Sequence, residues 1–335
     1  MISPELQSPV DLELMEDIYH AQEIITGPDS PVLRTQLMRD DVLSERYEAD
    51  IWYGSERHQP TGAYKIRGVY NAFHNLTPEE RQLEVVTASE GNHGRAVAFV
   101  TSRYGVNSRV FMRKGTPEQK VQGVITDGGE TTQIILAGTT YDESKAIARE
   151  YCRTTGAVYI DAFDSRVVVA GQGTWGLEAA GRLPDVDMLF SPIGGCGLLA
   201  GFATAFKYHN PEAEVIGVEP EGAASMQAAI DNGGPTKLAS IDTFVDGAAV
   251  QKVGDIPYAI ARPLLSQLLT VSNTDLRRAT TDLRERGLDV ELAAALSRDG
   301  VEQLGPTLAG KRVLYLLTGG NLSQERYEKE VRLAA

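Results

Sequence analysis

From about Val85 onward the chain alternates short β-branched runs with stretches of helical apolar spacing, and this alternation limits the possible folds more than any other property of the sequence. Arg109–Met112, Gln133–Leu136, Val158–Ile160, Met188–Ile193, Val215–Val218 and Val313–Leu317 read as strands. Strands separated by helices pair in parallel, because a crossover helix returns the chain to the same end of the sheet. An α/β fold follows. Helix starts are also marked locally: in Thr77-Pro78-Glu79-Glu80, Thr77 can cap, Pro78 suits a first turn and Glu80 can close a capping box. With 335 residues, 42% of them hydrophobic, and 33 glycines, the chain can bury one large core or two smaller ones and make many tight turns. It shows no internal repeat, and composition marks no domain boundary.

Charge and composition exclude several classes. A net charge of −14 opposes association with nucleic acid or an anionic membrane surface, since both repel an acidic protein. No apolar run approaches the roughly 20 residues that span a bilayer. The N-terminal stretch MISPELQSPVDLELMED lacks a basic region followed by an apolar one, so cytoplasmic residence is expected. Cys152 and Cys196 are too few for a disulfide framework or a zinc site, and the five histidines form no ligand-spaced pair. No metal is expected, and a small-molecule partner is favoured.

Two short segments carry most of the chemical information. In Thr61-Gly62-Ala63-Tyr64-Lys65-Ile66-Arg67-Gly68, the apolar residues that follow (Ile66, Val69, Tyr70, Phe73, Leu76) have helical spacing, which puts Lys65 on a first turn, free to point away from the packed stripe. About 25 residues later, Ser89-Glu90-Gly91-Asn92-His93-Gly94 joins an apolar run to a helical one, so its backbone N–H groups can receive an anion. A third segment, Gly194-Gly195-Cys196-Gly197-Leu198, also opens a helix. Its glycines would let the backbone approach a phosphate, although a tight helix–strand contact accounts for them equally well. With Glu219 about 20 residues further on, that turn also admits a nicotinamide-dependent oxidoreductase.

Taken with Gly115-Thr116-Pro117 and Lys120, Ala170-Gly171-Gln172-Gly173-Thr174 and Thr318-Gly319-Gly320-Asn321, these segments resemble the fold-type II pyridoxal-phosphate enzymes, specifically the threonine/serine dehydratase and serine racemase group. The resemblance implies a tryptophan synthase β-like architecture of two parallel-sheet α/β domains, with pyridoxal 5'-phosphate in the cleft between them. Residues 1–82 and 164–335 would form the large domain and residues 83–163 a small inserted one. It makes Lys65 the Schiff-base lysine and base. Gly194, Gly195, Cys196, Gly197 and Leu198 become the phosphate cup, and Thr318 the neutral hydroxyl partner of the pyridine nitrogen. Asn92 would bond the phenolic oxygen, and Tyr64 would replace a Phe beside the ring. Ser89, Gly91, Asn92 and His93 would receive the substrate carboxylate, while Glu291 aligns in part with a glutamate near the cofactor. In serine racemase a divalent cation is held at positions that align with Glu219, Ala223 and Ser225, where Ser225 replaces an Asp and weakens any such site. A homodimer or homotetramer is implied.

The activity expected from the resemblance is that of an ammonia-lyase, removing water from a β-hydroxy amino acid such as threonine or serine to give a 2-oxo acid and ammonia. A hydroxyl opposite the pyridine nitrogen makes a weaker electron sink than an aspartate, which suits β-elimination or reprotonation over transamination. Glu90 stands where the dehydratases carry Ala and serine racemase a Ser. It could be a second acid/base, favouring a racemase or epimerase, or it could neutralise Arg95 or Arg103. A β-replacement enzyme is a further alternative. Because the chain ends soon after Asn321, a C-terminal regulatory domain and isoleucine inhibition are not expected.

Overall fold

The structure, a computed structural model, describes residues 10–332. Residues 1–9 and 333–335, assigned above to the ends of the large domain, lie outside the described residues, as does the first half of the stretch read for a leader. The strands are β1 (Gln36–Arg39), β2 (Asp50–Ser55), β3 (Val85–Ala88), β4 (Ser108–Met112), β5 (Thr132–Leu136), β6 (Val158–Tyr159), β7 (Met188–Pro192), β8 (Glu214–Pro220), β9 (Gln267–Val271) and β10 (Arg312–Leu317). They form a six-stranded sheet in the order β1-β2-β10-β7-β8-β9 and a four-stranded sheet in the order β5-β4-β3-β6. Every pairing is parallel except that of β1 with β2.

The six strands read from the sequence are present with ends shifted by one or two residues, and the β-branched run at Val85 is a seventh, β3. Three others, β1, β2 and β9, are absent from that reading. β1 and β9 are sheet edges with one buried residue each, Leu37 and Val271; β1 (QLMR) is short and mixed, while the run in β9 (QLLTV) resembles that of the edge strand β5 (TQIIL). In β2 the sequence DIWYGS mixes polar and apolar residues. The capping box at Thr77 also forms, with Thr77 N donating to Glu80 at 2.8 Å and Glu80 N to Thr77 Oγ1 at 3.2 Å. Only a single 3-10 turn, Glu80–Gln82, follows it, because the chain must be extended again to enter β3 at Val85.

The large sheet is buried on both faces. Successive residues of β7 and β10 alternate between two cores: Leu189, Leu314 and Leu316 face one, and Met188, Phe190, Val313, Tyr315 and Leu317 the other. Helices Leu12–Ile25, Arg166–Ala180 and Gly197–His209 cover the first face, and Asn273–Glu285 and Leu292–Leu304 the second. Arg166–Ala180 and Gly197–His209 approach closely because Gly176 and Gly201 lie between them; a Cβ on Gly201 would stand 2.2 Å from the carbonyl of Val169. This packing fixes the helix whose first turn follows the glycine loop after β7. No helix among the described residues is long and apolar enough to cross a membrane.

Candidate active site

Lys65 is the first residue of helix Lys65–His74, whose Ile66, Val69, Tyr70 and Phe73 are buried. Three contacts fix that helix start. Tyr64 N donates to the Thr318 carbonyl at 3.0 Å, tying it to the end of β10. Gly68 lies under helix Arg166–Ala180, where a Cβ would stand 2.2 Å from Gln172 Nε2. Arg67, fully buried, donates to Glu56 at 2.8 and 3.0 Å and to Glu178 at 2.9 Å. With the helix anchored below, the half-buried Lys65 projects across to the end of β6, and Nζ donates to the carbonyl of Ala162 at 2.8 Å. Burial pulls the Lys65 ammonium down to about 8, against the opposing pull of Asp161 and Glu291. The result is an amine that loses its proton far more readily than an exposed lysine.

The segment after β3 turns into helix Asn92–Arg103. Ser89 is buried, its N–H bonded to the Phe111 carbonyl and its Oγ accepting from Gly91 N at 3.2 Å. His93 is buried too, with Nε2 3.2 Å from the Ile160 carbonyl and Nδ1 without a partner. Burial and the nearby Lys65 hold its pKa well below the usual histidine range, so the ring is neutral. Glu90 pairs with Arg113, whose Nε donates to Oε2 at 2.9 Å. It pairs with neither arginine expected from the sequence: Arg95 binds Asp127 and Asn321, and Arg103 the Asp29 carbonyl. Arg113 follows β4, which lies beside β3, so the parallel register brings it to the same end of the sheet.

The glycine loop follows β7. Cys196 adopts a positive φ of 72°, the left-handed conformation that favours glycine, and its carbonyl accepts from Ala200 N to begin helix Gly197–His209. No side chain caps this helix start, so its first N–H groups are open to an anion. The Phe163 ring packs onto the loop so closely that a Cβ on Gly195 would stand 2.2 Å from it. Burial raises the Cys196 thiol to about 12, which removes it as a nucleophile. Thr318 is buried at the end of β10, and the loop after it is tied to Gly62, Tyr64 and Glu291 through backbone bonds. Glu291 is raised to about 7 by burial and accepts from Asn92 Nδ2 at 2.8 and 2.9 Å.

Lys65, the uncapped glycine helix start and the Thr318 hydroxyl fit a phosphate-bearing aromatic aldehyde such as pyridoxal phosphate. One supplies an amine, one free backbone donors and one a neutral hydrogen-bonding partner. The three lie more than 100 residues apart in sequence and meet at strand ends of the large sheet. The positions aligned with a cation site are arranged differently: both Glu219 oxygens accept backbone N–H groups, from Met226 and Gln227 at 2.9 and 2.8 Å. Among the described residues no group of three or more His, Cys, Asp or Glu is placed to hold a metal ion. The sequence reading assigned no role to Ala162, Asp161, Arg113 or Asn321. Only Asn321 stood in a quoted motif; the others are brought in by sheet register.

The sequence model described as pyridoxal-phosphate dependent enzyme matches residues 29–319 of the chain. The chain is 37% identical over 329 residues to the biosynthetic L-threonine dehydratase IlvA of Corynebacterium glutamicum, an alignment covering 96% of this chain and 74% of that protein. The processed form of threonine deaminase isoform 2 from Solanum lycopersicum superposes with a TM-score of 0.88 at 32% identity, over 97% of this chain and 93% of that one. Maize serine racemase superposes with a TM-score of 0.86 at 27% identity, over 95% and 97% of the respective chains.

Proposed function

The chain belongs to the pyridoxal-phosphate dependent enzyme family, and from that premise we propose that it is an ammonia-lyase that removes water from threonine or serine to release a 2-oxo acid and ammonia. The observation that carries this reading is the half-buried amine of Lys65, held 2.8 Å from the Ala162 carbonyl with its pKa lowered to about 8. The phosphate would be received by the N–H groups at the start of helix Gly197–His209, with Gly194, Gly195, Cys196 and Leu198 around it. Thr318 would meet the ring nitrogen, Asn92 the phenolic oxygen and Tyr64 the flank of the ring. Bound there, pyridoxal phosphate supplies an electron sink that makes the α-C–H of an amino acid acidic.

The chain's own groups do the rest. Lys65 Nζ, which burial favours as the free amine, takes the α-proton from one face, and the Ala162 carbonyl orients it. Ser89 and the N–H groups of Gly91, Asn92 and His93 receive the substrate carboxylate at a helix start. Loss of the β-hydroxyl with a proton leaves an enamine. Once released, this tautomerises, adds water and expels ammonia, so threonine gives 2-oxobutanoate and serine pyruvate. With Glu90 engaged by Arg113, a single base at Lys65 suits elimination better than racemisation.

Purified protein supplied with pyridoxal phosphate is expected to be yellow and to form 2-oxo acid and ammonia in equal amounts from L-threonine or L-serine. Lys65→Ala is expected to fold and lose turnover. A colourless protein indifferent to borohydride, or a Lys65→Ala variant that keeps its activity, would sink the proposal.

A further inference from the structure

The side-chain amide of Asn92 can present either an N–H or an oxygen to a ligand, and a short chain of hydrogen bonds decides which. Arg95 Nη1 donates to Asn321 Oδ1 at 2.6 Å. A guanidinium has no acceptor, so it is the oxygen of Asn321 that faces Arg95. Asn321 Nδ2 therefore donates on its other side, to the Thr61 carbonyl at 2.8 Å and to Asn92 Oδ1 at 2.7 Å. With its oxygen committed, Asn92 turns Nδ2 toward Glu291, whose carboxylate oxygens stand 2.8 and 2.9 Å away. The amide nitrogen carries two hydrogens, and both acceptors it meets belong to the one Glu291 carboxylate, so a ligand oxyanion can share or replace them. Local backbone is fitted to the arrangement: Gly62 has a φ of +73°, and a Cβ there would stand 2.4 Å from Asn321 Oδ1.

Asn321 also spans the two sheets. Asn92 and Arg95 lie on the helix that follows β3 of the small sheet, whereas Thr61 and Asn321 lie on segments beside β10 of the large one. We propose that Asn321 is a positioning residue, which holds the Asn92 amide so that an N–H rather than an oxygen meets an oxyanion of the bound cofactor. The inference rests on the pyridoxal-phosphate reading above.

Asn321→Asp tests it with little change of shape. The variant keeps an oxygen for Arg95 but sets a second acceptor against the Thr61 carbonyl and Asn92 Oδ1, which releases Asn92 to turn over. Titration of cofactor-free protein with pyridoxal phosphate is expected to show affinity weakened about tenfold, the factor that loss of one hydrogen bond brings. The pH at which the visible band changes is expected to move as well, while the thermal midpoint of the cofactor-free protein moves little. In an Asn92→Ala background the same substitution is expected to have no further effect on affinity. Unchanged affinity and band in Asn321→Asp overturn the inference, and so does an equal loss in both backgrounds, which would mean that Asn321 does not act through Asn92. Asn321→Ala, read by the same two comparisons, decides the matter if the aspartate variant does not fold. A wild-type protein that takes up no pyridoxal phosphate overturns the cofactor reading together with this inference, whereas the other outcomes bear on Asn321 alone.

Discussion

Lys65 Nζ donates to the backbone carbonyl of Ala162 at 2.8 Å, across a separation of 97 residues. Lys65 starts a helix anchored to the large sheet through Thr318, and Ala162 follows the last strand of the small sheet. The reactive amine is therefore held by both halves of the molecule, by an acceptor that bears no charge. A carboxylate in that place would favour the ammonium; a carbonyl orients the amine without fixing its proton so strongly.

Proton loss from Lys65 is expected near pH 8 in cofactor-free protein. Because its folded pKa lies below the ordinary value of 10.5, the fold disfavours the charged form and the nucleophilic amine accumulates as pH rises through about 8. The rate at which an aldehyde or an aryl sulfonate labels Lys65, followed against pH by mass spectrometry, should have its midpoint there. A midpoint near 10.5 would contradict the burial argument.

Arg67→Met is expected to destabilise the protein by about 3–5 kcal/mol, because it leaves Glu56 and Glu178 charged and unpaired in the interior. Chemical denaturation measures this directly. A loss under about 1 kcal/mol, the scale of an exposed ion pair, would show that water reaches these carboxylates.

Glu90→Gln is expected to leave stereochemical preference unchanged, since the Glu90 carboxylate is occupied by Arg113. Proton exchange at the α-carbon in deuterated water, followed separately for L- and D-amino acids, should proceed from one enantiomer in both proteins. Exchange of both enantiomers by the wild type, lost in the variant, would restore Glu90 as a second base.

Gly195→Ala is expected to cost about 1–3 kcal/mol and to weaken cofactor uptake. The added methyl would stand 2.2 Å from the Phe163 ring, which must move, and the glycine loop with it. Thermal unfolding and a pyridoxal phosphate titration give the two quantities; if neither changes, Phe163 yields freely and does not shape the cup.

Much of the framework is legible in the sequence. The β-branched runs became strands of the two sheets, β5 and β6 at edges and the others inside, and the apolar spacing after Lys65 became a helix with that lysine on its first turn. Of the strands that carry no such signal, β1 is a short edge with only Leu37 buried and β2 mixes polar and apolar residues. The partner of Glu90 is set by strand pairing and not by nearness in sequence. Arg95 and Arg103 are near it in sequence, but β3–β4 pairing brings Arg113 to the same sheet end.

Periodicity, capping and glycine turns act between residues a few positions apart, so the sequence by itself determined most of the strands, the helix that carries Lys65 and the loop that can receive a phosphate. Burial and hydrogen-bond partners arise between residues that only folding brings together. Asn92 meets Glu291 across 199 positions and Asn321 across 229, and the amide orientation at Asn92 follows from both. The lowered pKa of Lys65, the raised one of Glu291 and the engagement of Glu90 belong to the same class: each depends on what surrounds the group once the two sheets have met, and that is a property of the tertiary structure.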